Sequence, residues 1–276
     1  EKIYCIPGNA GTGFVALNLN IDISNFEEIY KAITKLQIDY VIVGPEQPLV
    51  NGIVDFLENK NIKVFGPNKF ASKLEGSKAF MKNLCKKNNI PTARFATFDS
   101  LEGLEDFINN SKVPIVVKAD GLAAGKGVAI CQTKNDAILE AKEILNGKFK
   151  SSRTVVIEEF LKGEELSYFI LVNQDEYIFF GSAQDHKRVG EGETGLNTGG
   201  MGAYSPAPIL NEALENKIKN KIIEPTLKGL KKLGGSYKGI LYAGLIICEG
   251  EPLLIEYNIR MGDPECQVIM TLLETD

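Results

Sequence analysis

The sequence predicts an α/β protein in which a partial doubly wound parallel sheet precedes a larger α+β region. Residues 1–66 alternate short apolar strands with helical stripes, which is the pattern of parallel βα units. From about residue 93 onward the strands become longer and are joined by short polar turns, which indicates antiparallel hairpins. A chain of 276 residues has room for more than one domain.

The first region contains three predicted parallel strands, at residues 3–6, 40–44 and 62–66. The second of them, YVIVG, is a continuous apolar run, so we expect it to be buried on both faces of the sheet. The turns PGNAG, GPEQP and GPNK follow these strands. They either meet a ligand at the carboxyl edge of the sheet or serve only as strand-to-helix turns.

Two helical stripes separate these strands. Ser24 and Glu27 form a capping-box pattern at the start of the first helix, whose apolar residues run to Leu36. The second stripe covers residues 50–57, with apolar side chains at helical spacing. Together with the strands, these stripes complete the predicted βα alternation.

The second region is predicted to consist of hairpins and two longer helices. Its predicted strands lie at residues 114–119, 127–132, 154–161, 165–172, 177–183 and 240–258, the last being a hairpin that turns at residues 249–251. Its predicted helices lie at residues 135–145 and 211–233.

Composition excludes several classes of function. Lysine and arginine number 31 against 36 acidic residues, and the basic residues are scattered, so neither nucleic acid nor a membrane is an expected partner. Five cysteines without a CxxC spacing favour a reducing cytosol, and we expect a cytoplasmic protein. A single histidine, His186, leaves carboxylates, lysines, arginines and backbone amides to do the chemistry.

A glycine-rich loop lies between two predicted strands in VVKADGLAAGKGVAI, residues 116–130. The spacing is not that of a Walker A loop, which needs four residues between its glycines, Ser or Thr after the lysine, and a helix afterwards. A loop between antiparallel strands can still cover a triphosphate with its amides, and Lys118 would then project toward the phosphates. The alternative is a flexible hairpin whose lysines point into water, and the loop taken alone favours it.

The segment VVIEEFLKGEELS, residues 155–167, combines acidic and apolar residues at a strand end. Glu158 and the three residues after it could offer backbone groups to an adenine edge, with Phe160 and Leu161 as apolar walls. Glu165, one turn further on, suits ribose hydroxyls. The alternative, which the segment in isolation favours, is an acidic surface turn.

The segment LLIEYNIRMGDPE, residues 253–265, is the most specific. Strand alternation predicts Glu256, Asn258 and Arg260 on one face. A carboxylate, an amide oxygen and a guanidinium in a row suit a hard divalent cation that carries phosphate oxygens. The alternative is an exposed polar strand face, and two further acids in the following turn argue against it.

A fourth segment, residues 183–206, clusters Asp185 and His186 before a glycine-rich loop that could close over a substrate. His186 is either a general base or, as we expect, a structural or substrate-positioning residue.

Taken in this order, the segments resemble the ATP-grasp superfamily. Within it, PGNAGT, VGPEQPLV, FGPN, LEGSKAF, VVKADGLAAGKGV, EEFLKGEELS, QDHKRVGE, NTGGMGAYSPAP, GILYAGL and NIRMGDPE are similar to motifs of the phosphoribosylamine–glycine ligase (glycinamide ribonucleotide synthetase) family. The resemblance runs along essentially the whole chain. It implies a reaction of purine biosynthesis in which ATP, with Mg²⁺ (or Mn²⁺), phosphorylates the carboxylate of glycine. The amine of 5-phosphoribosylamine then displaces phosphate from glycyl phosphate.

The resemblance also implies roles for individual residues. ATP would be bound by Lys78, Lys118, Gly125, Lys126 and Gly127 at its phosphates, by Glu158, Glu159, Phe160 and Leu161 at adenine, and by Glu165 at ribose. The metal would be bound by Glu256 and Asn258. Glycine and the transferring phosphoryl group would be surrounded by Asp185, Arg260, Asp263 and Glu265, and phosphoribosylamine would be met by Gly8 and Asn9. The implied catalytic residues are Arg260, Asp185 and Lys126.

The resemblance further implies four parts: a partial Rossmann-like (pre-ATP-grasp) domain at 1–68, a connecting helix at 69–92, a small lid subdomain at 93–158 and an ATP-grasp core at 159–276. The family's first strand with its glycine-rich turn and the family's C-terminal domain are missing, so we expect an excerpt of a longer protein, monomeric or weakly homodimeric. Leu196 stands where the family commonly has proline. The strand LYAGLII carries no acid, so two protein metal ligands are expected.

Two rival functions remain open from the sequence. One is another ATP-grasp carboxylate–amine ligase that acts on a different acid. The other is a nucleotide-binding sensor or scaffold without turnover, against which the presence of Glu256, Asn258 and Arg260 together argues.

Overall fold

This computed structural model describes residues 2–123, 127–149, 153–186, 188–191, 194–197 and 202–274. Within these ranges, no helix is both long and apolar enough to cross a membrane.

The N-terminal region consists of short parallel strand pairs separated by helices, as predicted. Its elements are β1 (Tyr4–Cys5), β2 (Leu17–Asn18), α1 (Phe26–Leu36), β3 (Val41–Ile42), α2 (Glu46–Asn51), α3 (Ile53–Glu58) and β4 (Val64–Phe65). β1 pairs with β2 and β3 pairs with β4, both in parallel, in two separate sheets.

Three details of this region differ from the predictions. Asn25, not Ser24, caps α1 by accepting a hydrogen bond from the Glu28 amide, because the Ser24 hydroxyl donates to Asp22 instead. The second stripe is broken at Gly52 into two helices, since Gly52 adopts a left-handed φ of +94°. The prediction that YVIVG is buried on both faces is wrong: Ile42 is 71% exposed, because among the described strands β3 pairs only with β4.

Two helices lead into a four-stranded antiparallel sheet with its own core. The elements are α4 (Lys73–Gly76), α5 (Lys78–Asn88), β5 (Phe95–Phe98), α6 (Leu104–Asn109), β6 (Ile115–Ala119), β7 (Val128–Cys131), α7 (Lys134–Leu145) and β8 (Val155–Glu159). The strand order is β5–β8–β6–β7. One face of the sheet packs against α6 and α7 through Ile115, Val117 and Ile157. The other face carries Lys118 and Glu158.

The remaining chain forms a five-stranded antiparallel sheet. Its elements are β9 (Glu164–Asn173), β10 (Glu176–Asp185), β11 (Arg188–Gly190), β12 (Thr194–Asn197), β13 (Ala203–Tyr204), α8 (Glu212–Ile218), a π-helical turn (Lys219–Ile223), α9 (Glu224–Lys232), β14 (Lys238–Cys248), β15 (Glu251–Asn258) and α10 (Glu265–Met270). The strand order is β13–β10–β9–β14–β15, and β11 pairs with β12 separately.

The predicted hairpins β9–β10 and β14–β15 are confirmed, as are the antiparallel strands on either side of the glycine loop. The predicted helix at residues 211–233 is interrupted by the π-helical turn, which no local residue pattern signals. One face of the five-stranded sheet packs on α5, α8 and α9 in the main core, which includes Tyr168, Leu241 and Tyr257. The opposite face is the one that carries polar side chains.

Candidate active site

The polar face of the five-stranded sheet collects residues that are distant in sequence. Directly paired residues of an antiparallel sheet point to the same face. Ser167 pairs with Ala183 on β10 and with Gly244 on β14, and Gly244 pairs in turn with Glu256. Strand alternation then places five polar residues on this face: Glu165, Ser167, Asp185, Glu256 and Asn258.

Glu256 and Asn258 lie side by side at the end of β15, as the sequence predicts. Asn258 is buried, Glu256 is half-buried, and Gly244 opposite keeps the space above Glu256 open. A Cβ at position 244 would lie 3.3 Å from Cγ of Glu256. One carboxylate and one amide oxygen are hard ligands, and they fit Mg²⁺, which usually keeps several waters and takes phosphate oxygens from its substrate.

No cluster of three or more His, Cys, Asp or Glu side chains that could hold a metal exists within the described ranges. A divalent cation at Glu256 and Asn258 would therefore take its remaining ligands from water and a bound phosphate. This fits the donor set of the site.

Glu265 is buried on the same face rather than turned to solvent. Its Oε1 accepts hydrogen bonds from Oη of Tyr242 at 3.1 Å and Oγ of Ser167 at 3.2 Å. Gly262 allows this approach, because a Cβ there would lie 2.3 Å from Oε2 of Glu265. Asp263 is exposed and accepts from Nε2 of Gln267 at 2.8 Å. Glu265 therefore fixes the MGDPE turn to the sheet, and Asp263 is the acid of that turn that remains accessible.

The four-stranded sheet brings three ionic side chains together, which we call the phosphate-side cluster: Lys82, Lys118 and Glu158. Nζ of Lys82 lies 2.8 Å from Oε2 of Glu158, and Nζ of Lys118 lies 3.0 Å from Oε1. All three side chains are at most 8% exposed. Burial lowers the pKa of Lys82, while Glu158 acts in the opposite direction. The cluster holds two cations and one anion.

Lys78 lies at the first position of α5, where it contacts the beginning of the glycine loop. Its Nζ donates to the carbonyl of Gly121 at 2.9 Å. Asp120, beside it, accepts from the Ala79 amide and the Ser77 hydroxyl, both at 3.1 Å, at the N-terminus of α5. Burial lowers the pKa of Lys78, and the carboxylates of Glu256 and Asp120 oppose this. Lys78 therefore contacts the glycine loop and is also influenced by the charge of Glu256 on β15.

Arg260 belongs to a second ionic group, which we call the metal-side cluster: Arg260, Glu46 and Glu75. Its Nε lies 3.1 Å from Glu46 and its Nη2 lies 3.1 Å from Glu75. β15 ends at Asn258, so Arg260 lies two residues beyond the strand rather than on it. Glu75 also accepts from the amide of Ile259 at 2.8 Å. Burial raises the pKa of Glu75 to about 7, although Arg260 acts in the opposite direction.

The predicted adenine segment begins at the end of β8. Oε1 of Glu159 accepts a hydrogen bond from the Arg94 amide at 2.8 Å, so its carboxylate binds the backbone at Arg94 rather than a ligand. Phe160 is 41% exposed and Leu161 is half-buried, which leaves apolar surface for a ring. Glu165 is exposed on β9, where its carbonyl accepts from Nε2 of Gln184 at 2.9 Å.

Asp185 ends β10 on the polar face and is half-buried. His186 follows it, with its amide donating to the Gly202 carbonyl at 2.9 Å and its ring 5.7 Å from that of Tyr204. The structural or substrate-positioning role expected of His186 stays a prediction.

Gly8 and Asn9 form a tight loop at the end of β1. Gly8 has a φ of +77°, and a Cβ there would lie 2.2 Å from the Asn18 side chain. Oδ1 of Asn9 accepts from the Thr12 amide at 2.9 Å. A cavity of about 940 Å³ lies next to this loop, but β1, α1 and β3 give it a mostly apolar lining that does not suit the triphosphate of a nucleotide. We therefore do not assign the cavity to the nucleotide.

Two predicted nucleotide contacts, Gly125 and Lys126, lie outside the described residues. Gly127 is described, and its carbonyl accepts from the Ala119 amide at 2.8 Å, where the loop joins β7. A Cβ at position 127 would lie 2.6 Å from Cβ of Ala123, so this position needs glycine.

Four residues of the site do not follow from the sequence motifs: Glu46, Glu75, Lys82 and Asp120. Lys82 lies one helical turn after Lys78, so helical spacing from a predicted phosphate lysine could have indicated it. Glu46 and Glu75 meet Arg260 from 214 and 185 residues away, and no local pattern predicts such contacts.

Comparisons with known proteins identify the family of the chain. Residues 1–75 match the family described as "Phosphoribosylglycinamide synthetase, N domain", and residues 76–266 match "Phosphoribosylglycinamide synthetase, ATP-grasp (A) domain". The chain is 48% identical over 276 residues to a phosphoribosylamine–glycine ligase of Mesorhizobium japonicum. This alignment covers the whole chain and 65% of that relative. The chain thus spans slightly less than two thirds of the length of this curated relative.

Solved structures are similar as well. The crystal structure of a phosphoribosylamine–glycine ligase from Thermotoga maritima matches with a TM-score of 0.83 and 38% identity, over 98% of this chain and 66% of that one. The biotin carboxylase domain of a Hydrogenobacter thermophilus 2-oxoglutarate carboxylase, solved with MgADP, matches with a TM-score of 0.73 and 18% identity, over 95% of this chain and 57% of that one. The second likeness shows the ATP-grasp fold alone. The chain belongs to the phosphoribosylglycinamide synthetase family and has its ATP-grasp fold.

Proposed function

We propose that this chain forms the nucleotide- and metal-binding part of a phosphoribosylamine–glycine ligase. The activity joins glycine to 5-phosphoribosylamine and releases ADP and phosphate. The observation that carries the proposal is the position of the half-buried Lys78: its Nζ donates to the Gly121 carbonyl at 2.9 Å at the start of the glycine loop, and the charges of Glu256 and Lys118 both affect its pKa. Phosphoryl transfer needs cations at the phosphates beside metal ligands, and this site supplies both.

The names of similar proteins support the proposal. The Mesorhizobium japonicum relative and the Thermotoga maritima structure are both phosphoribosylamine–glycine ligases. The biotin carboxylase domain, with the same fold, was solved with MgADP. We therefore propose ATP as the phosphoryl donor.

The polyphosphate would be bound by Lys78 and Lys118, together with Lys126 and the amides of the glycine loop around Gly125 and Gly127. An ammonium close to a phosphate oxygen contributes about 4 kcal/mol at an effective dielectric constant of 20. The segment Glu158–Leu161 would bind adenine through its backbone, and Phe160 and Leu161 would cover the ring. Glu165 would accept hydrogen bonds from ribose hydroxyls.

Glu256 and Asn258 would hold Mg²⁺ or Mn²⁺, with water and phosphate completing the coordination. When bound there, the cation would neutralise charge on the phosphate oxygens. The protein's own contribution is to keep both ligands on one face of a rigid strand, opposite Gly244.

The chemistry we propose has two steps. A carboxylate oxygen of glycine attacks the γ-phosphorus of ATP, which gives glycyl phosphate and ADP. The amine nitrogen of phosphoribosylamine then attacks the acyl carbon, and a C–N bond forms while phosphate leaves and the nitrogen loses a proton. A carboxylate is a poor acyl donor until one of its oxygens leaves as phosphate, so positioning and charge neutralisation supply most of the catalysis.

Asp185 and Asp263 would face the glycine ammonium: Asp185 lies half-buried on the polar face, and Asp263 is exposed in the MGDPE turn that Glu265 fixes to the same face. Glu265 would act on this pocket by fixing the turn. Arg260 would stabilise the transferring phosphoryl group, and its two carboxylate partners orient its guanidinium. Gly8 and Asn9 would contribute to the phosphoribosylamine side.

The finer architecture belongs to the same proposal. We propose a pre-ATP-grasp domain at residues 1–68, a connecting helix at 69–92, a lid subdomain at 93–158 and a core at 159–276. A cytoplasmic location and a monomeric or weakly dimeric state fit a metabolic enzyme of this kind.

The proposed function is tested by a coupled ADP-release assay on the full chain, with 5-phosphoribosylamine generated in situ. We expect ADP release to require both glycine and the amine, and to stop when either is omitted. ADP release with another acid but not with glycine would support the rival ligase, and nucleotide binding without any turnover would support the sensor.

Glu256→Gln is the matched test of the metal site. Replacing the carboxylate by an amide should raise the Mg²⁺ concentration needed for half-maximal rate and lower kcat about 100-fold. Glu249→Gln, at the exposed turn of the same hairpin, is the control and should leave the rate unchanged. Wild-type turnover by Glu256→Gln would refute the metal assignment.

A further inference from the structure

Lys82 is the most completely buried cation of the candidate site. Its side chain is 0% exposed on α5, one turn after Lys78. Its Nζ contacts Oε2 of Glu158 at 2.8 Å and donates to Oγ1 of Thr92 at 2.6 Å. The Phe95 ring centroid lies 5.6 Å away. A lysine without access to solvent or to a ligand can influence the reaction only through its neighbours.

The two oxygens of Glu158 have unequal partners. Oε2 is bound by Lys82, while Oε1 lies 3.0 Å from Nζ of Lys118. Oε1 is nevertheless the one buried side-chain oxygen or nitrogen among the described residues without a hydrogen bond. The ammonium of Lys118 thus pairs with this oxygen by charge, without the geometry of a hydrogen bond. Lys118 therefore balances the charge of this buried oxygen, while its N–H donors make no hydrogen bond to it.

We propose that Lys82 is a positioning residue for the nucleotide: it holds Glu158 through Oε2 and thereby leaves the N–H donors of Lys118 to the polyphosphate of a nucleoside di- or triphosphate. The proposal rests on the proposed function, since it assumes that nucleotide binds at Lys118.

Charge balance explains the effect. With Lys82 present, the phosphate-side cluster carries one excess positive charge, which an incoming phosphate can compensate. Without Lys82, Glu158 and Lys118 would form a neutral pair, and Lys118 would have to leave its only counterion in order to bind phosphate. Charge-assisted contacts in a buried site are strong enough for this difference to affect affinity.

Thr92 separates this electrostatic role from simple support of the fold. Its hydroxyl accepts from Lys82 and donates to the carbonyl of Leu254 on β15 at 2.6 Å. Thr92→Val removes both hydrogen bonds and keeps the shape and every charge of the cluster. It is therefore a control for the loss of hydrogen bonding around Lys82 without a change of charge.

The test is calorimetric binding of MgADP and of adenosine to the full chain. For Lys82→Met we expect about tenfold weaker MgADP binding and less than about threefold change for adenosine, which lacks phosphate. Thr92→Val should melt at a lower temperature and keep its MgADP affinity within about twofold. If Lys82→Met loses the same affinity for adenosine as for MgADP, Lys82 is only structural. The same conclusion follows if Thr92→Val loses as much MgADP affinity as Lys82→Met does.

The double variant Lys82→Met/Glu158→Gln restores one excess positive charge. We expect its MgADP affinity to return to within about threefold of wild type. If the double variant binds no better than Lys82→Met, the charge explanation is wrong.

If Lys82→Met does not fold, Lys82→Gln tests the proposal in its place, because it removes the charge and keeps an amide that can donate to Glu158 and Thr92. Its MgADP binding should be about tenfold weaker and its adenosine binding changed by less than about threefold, and unchanged MgADP binding would overturn the proposal. Absence of MgADP binding by the wild-type chain would instead refute the proposed function itself, which distinguishes the two failures.

Discussion

The phosphate-side and metal-side clusters have the same size and opposite composition. Lys82, Lys118 and Glu158 combine two cations with one anion, whereas Arg260, Glu46 and Glu75 combine one cation with two anions. The first group adjoins the glycine loop, and the arginine of the second group follows β15, the strand that carries Glu256 and Asn258. An excess positive charge favours phosphates, and an excess negative charge, which the metal-side cluster has once the pH exceeds the Glu75 pKa of about 7, favours a divalent cation. The comparison shows that the net charge of each cluster is opposite in sign to that of the partner that it is proposed to bind.

Lys118→Met should disrupt the phosphate-side cluster, and we expect it to have the largest effect on activity. It removes the only ammonium of that cluster that is not entirely buried, and leaves Glu158 paired with Lys82. We expect kcat/KM for ATP to fall about 100-fold or more, because a charge-assisted contact to phosphate is lost. Steady-state kinetics at varied ATP provide the measurement. A fall of less than about threefold would remove Lys118 from the nucleotide site.

Arg260→Met should break the metal-side cluster and cost stability as well as activity. Glu46 and Glu75 would lose their shared cation, and Glu75 is largely buried. We expect the free energy of unfolding to fall by about 1–3 kcal/mol at pH 8, since the pair is partly exposed. Urea unfolding at pH 8 and pH 5 measures this. The loss should be smaller at pH 5, where Glu75 is protonated, and an equal loss at both values would contradict the account.

Glu75→Gln tests the same cluster through pH. Burial raises the pKa of Glu75 to about 7 from its ordinary value of 4.5. The folded protein therefore binds a proton more tightly than the unfolded chain does, and the stability that this proton contributes is lost as pH rises from about 4.5 to about 7. Relative to that of wild type, the free energy of unfolding of the variant should rise by about 1–3 kcal/mol across that pH interval. If the free energies of unfolding of the two proteins change in parallel with pH, the pKa of Glu75 is not raised and the account is wrong.

Lys142→Met should have the smallest effect and serves as the control for lysine removal in the four-stranded sheet region. Lys142 pairs with Glu105 at 2.7 Å on the surface, and both side chains are exposed. We expect less than 1 kcal/mol change in unfolding free energy and unchanged ATP kinetics. A change in KM for ATP would mean that any lysine in this region affects nucleotide binding, and the interpretation of Lys118→Met would fail.

Much of the fold could be predicted because its signals are local. The β14–β15 hairpin follows from apolar alternation and a turn at Glu249 and Gly250, both of which have positive φ. The same alternation places Glu256 and Asn258 on one face. The N-cap of α1 was predicted one residue too early, because Asp22 takes the hydroxyl that Ser24 would have used for capping.

The rest of the site depends on contacts between distant segments. Arg260 looks like a free arginine in NIRMGDPE, but Glu46 and Glu75 bind it after the chain has folded. Glu265 looks like a surface acid, but Gly262 lets it turn inward to Tyr242. Lys82 looks like an ordinary solvated helix lysine, and only the position of β8 shows that it faces Glu158. No residue pattern within one segment carries this information.

The measurement that tests the central claim most directly is isotope transfer from glycine. The chain is supplied with ATP, Mg²⁺, phosphoribosylamine and glycine that carries ¹⁸O in both carboxylate oxygens, and the released phosphate is analysed by mass spectrometry. If the site activates the carboxylate by phosphorylation, one ¹⁸O is found in phosphate for every amide formed. Amide formation with unlabelled phosphate would contradict the account.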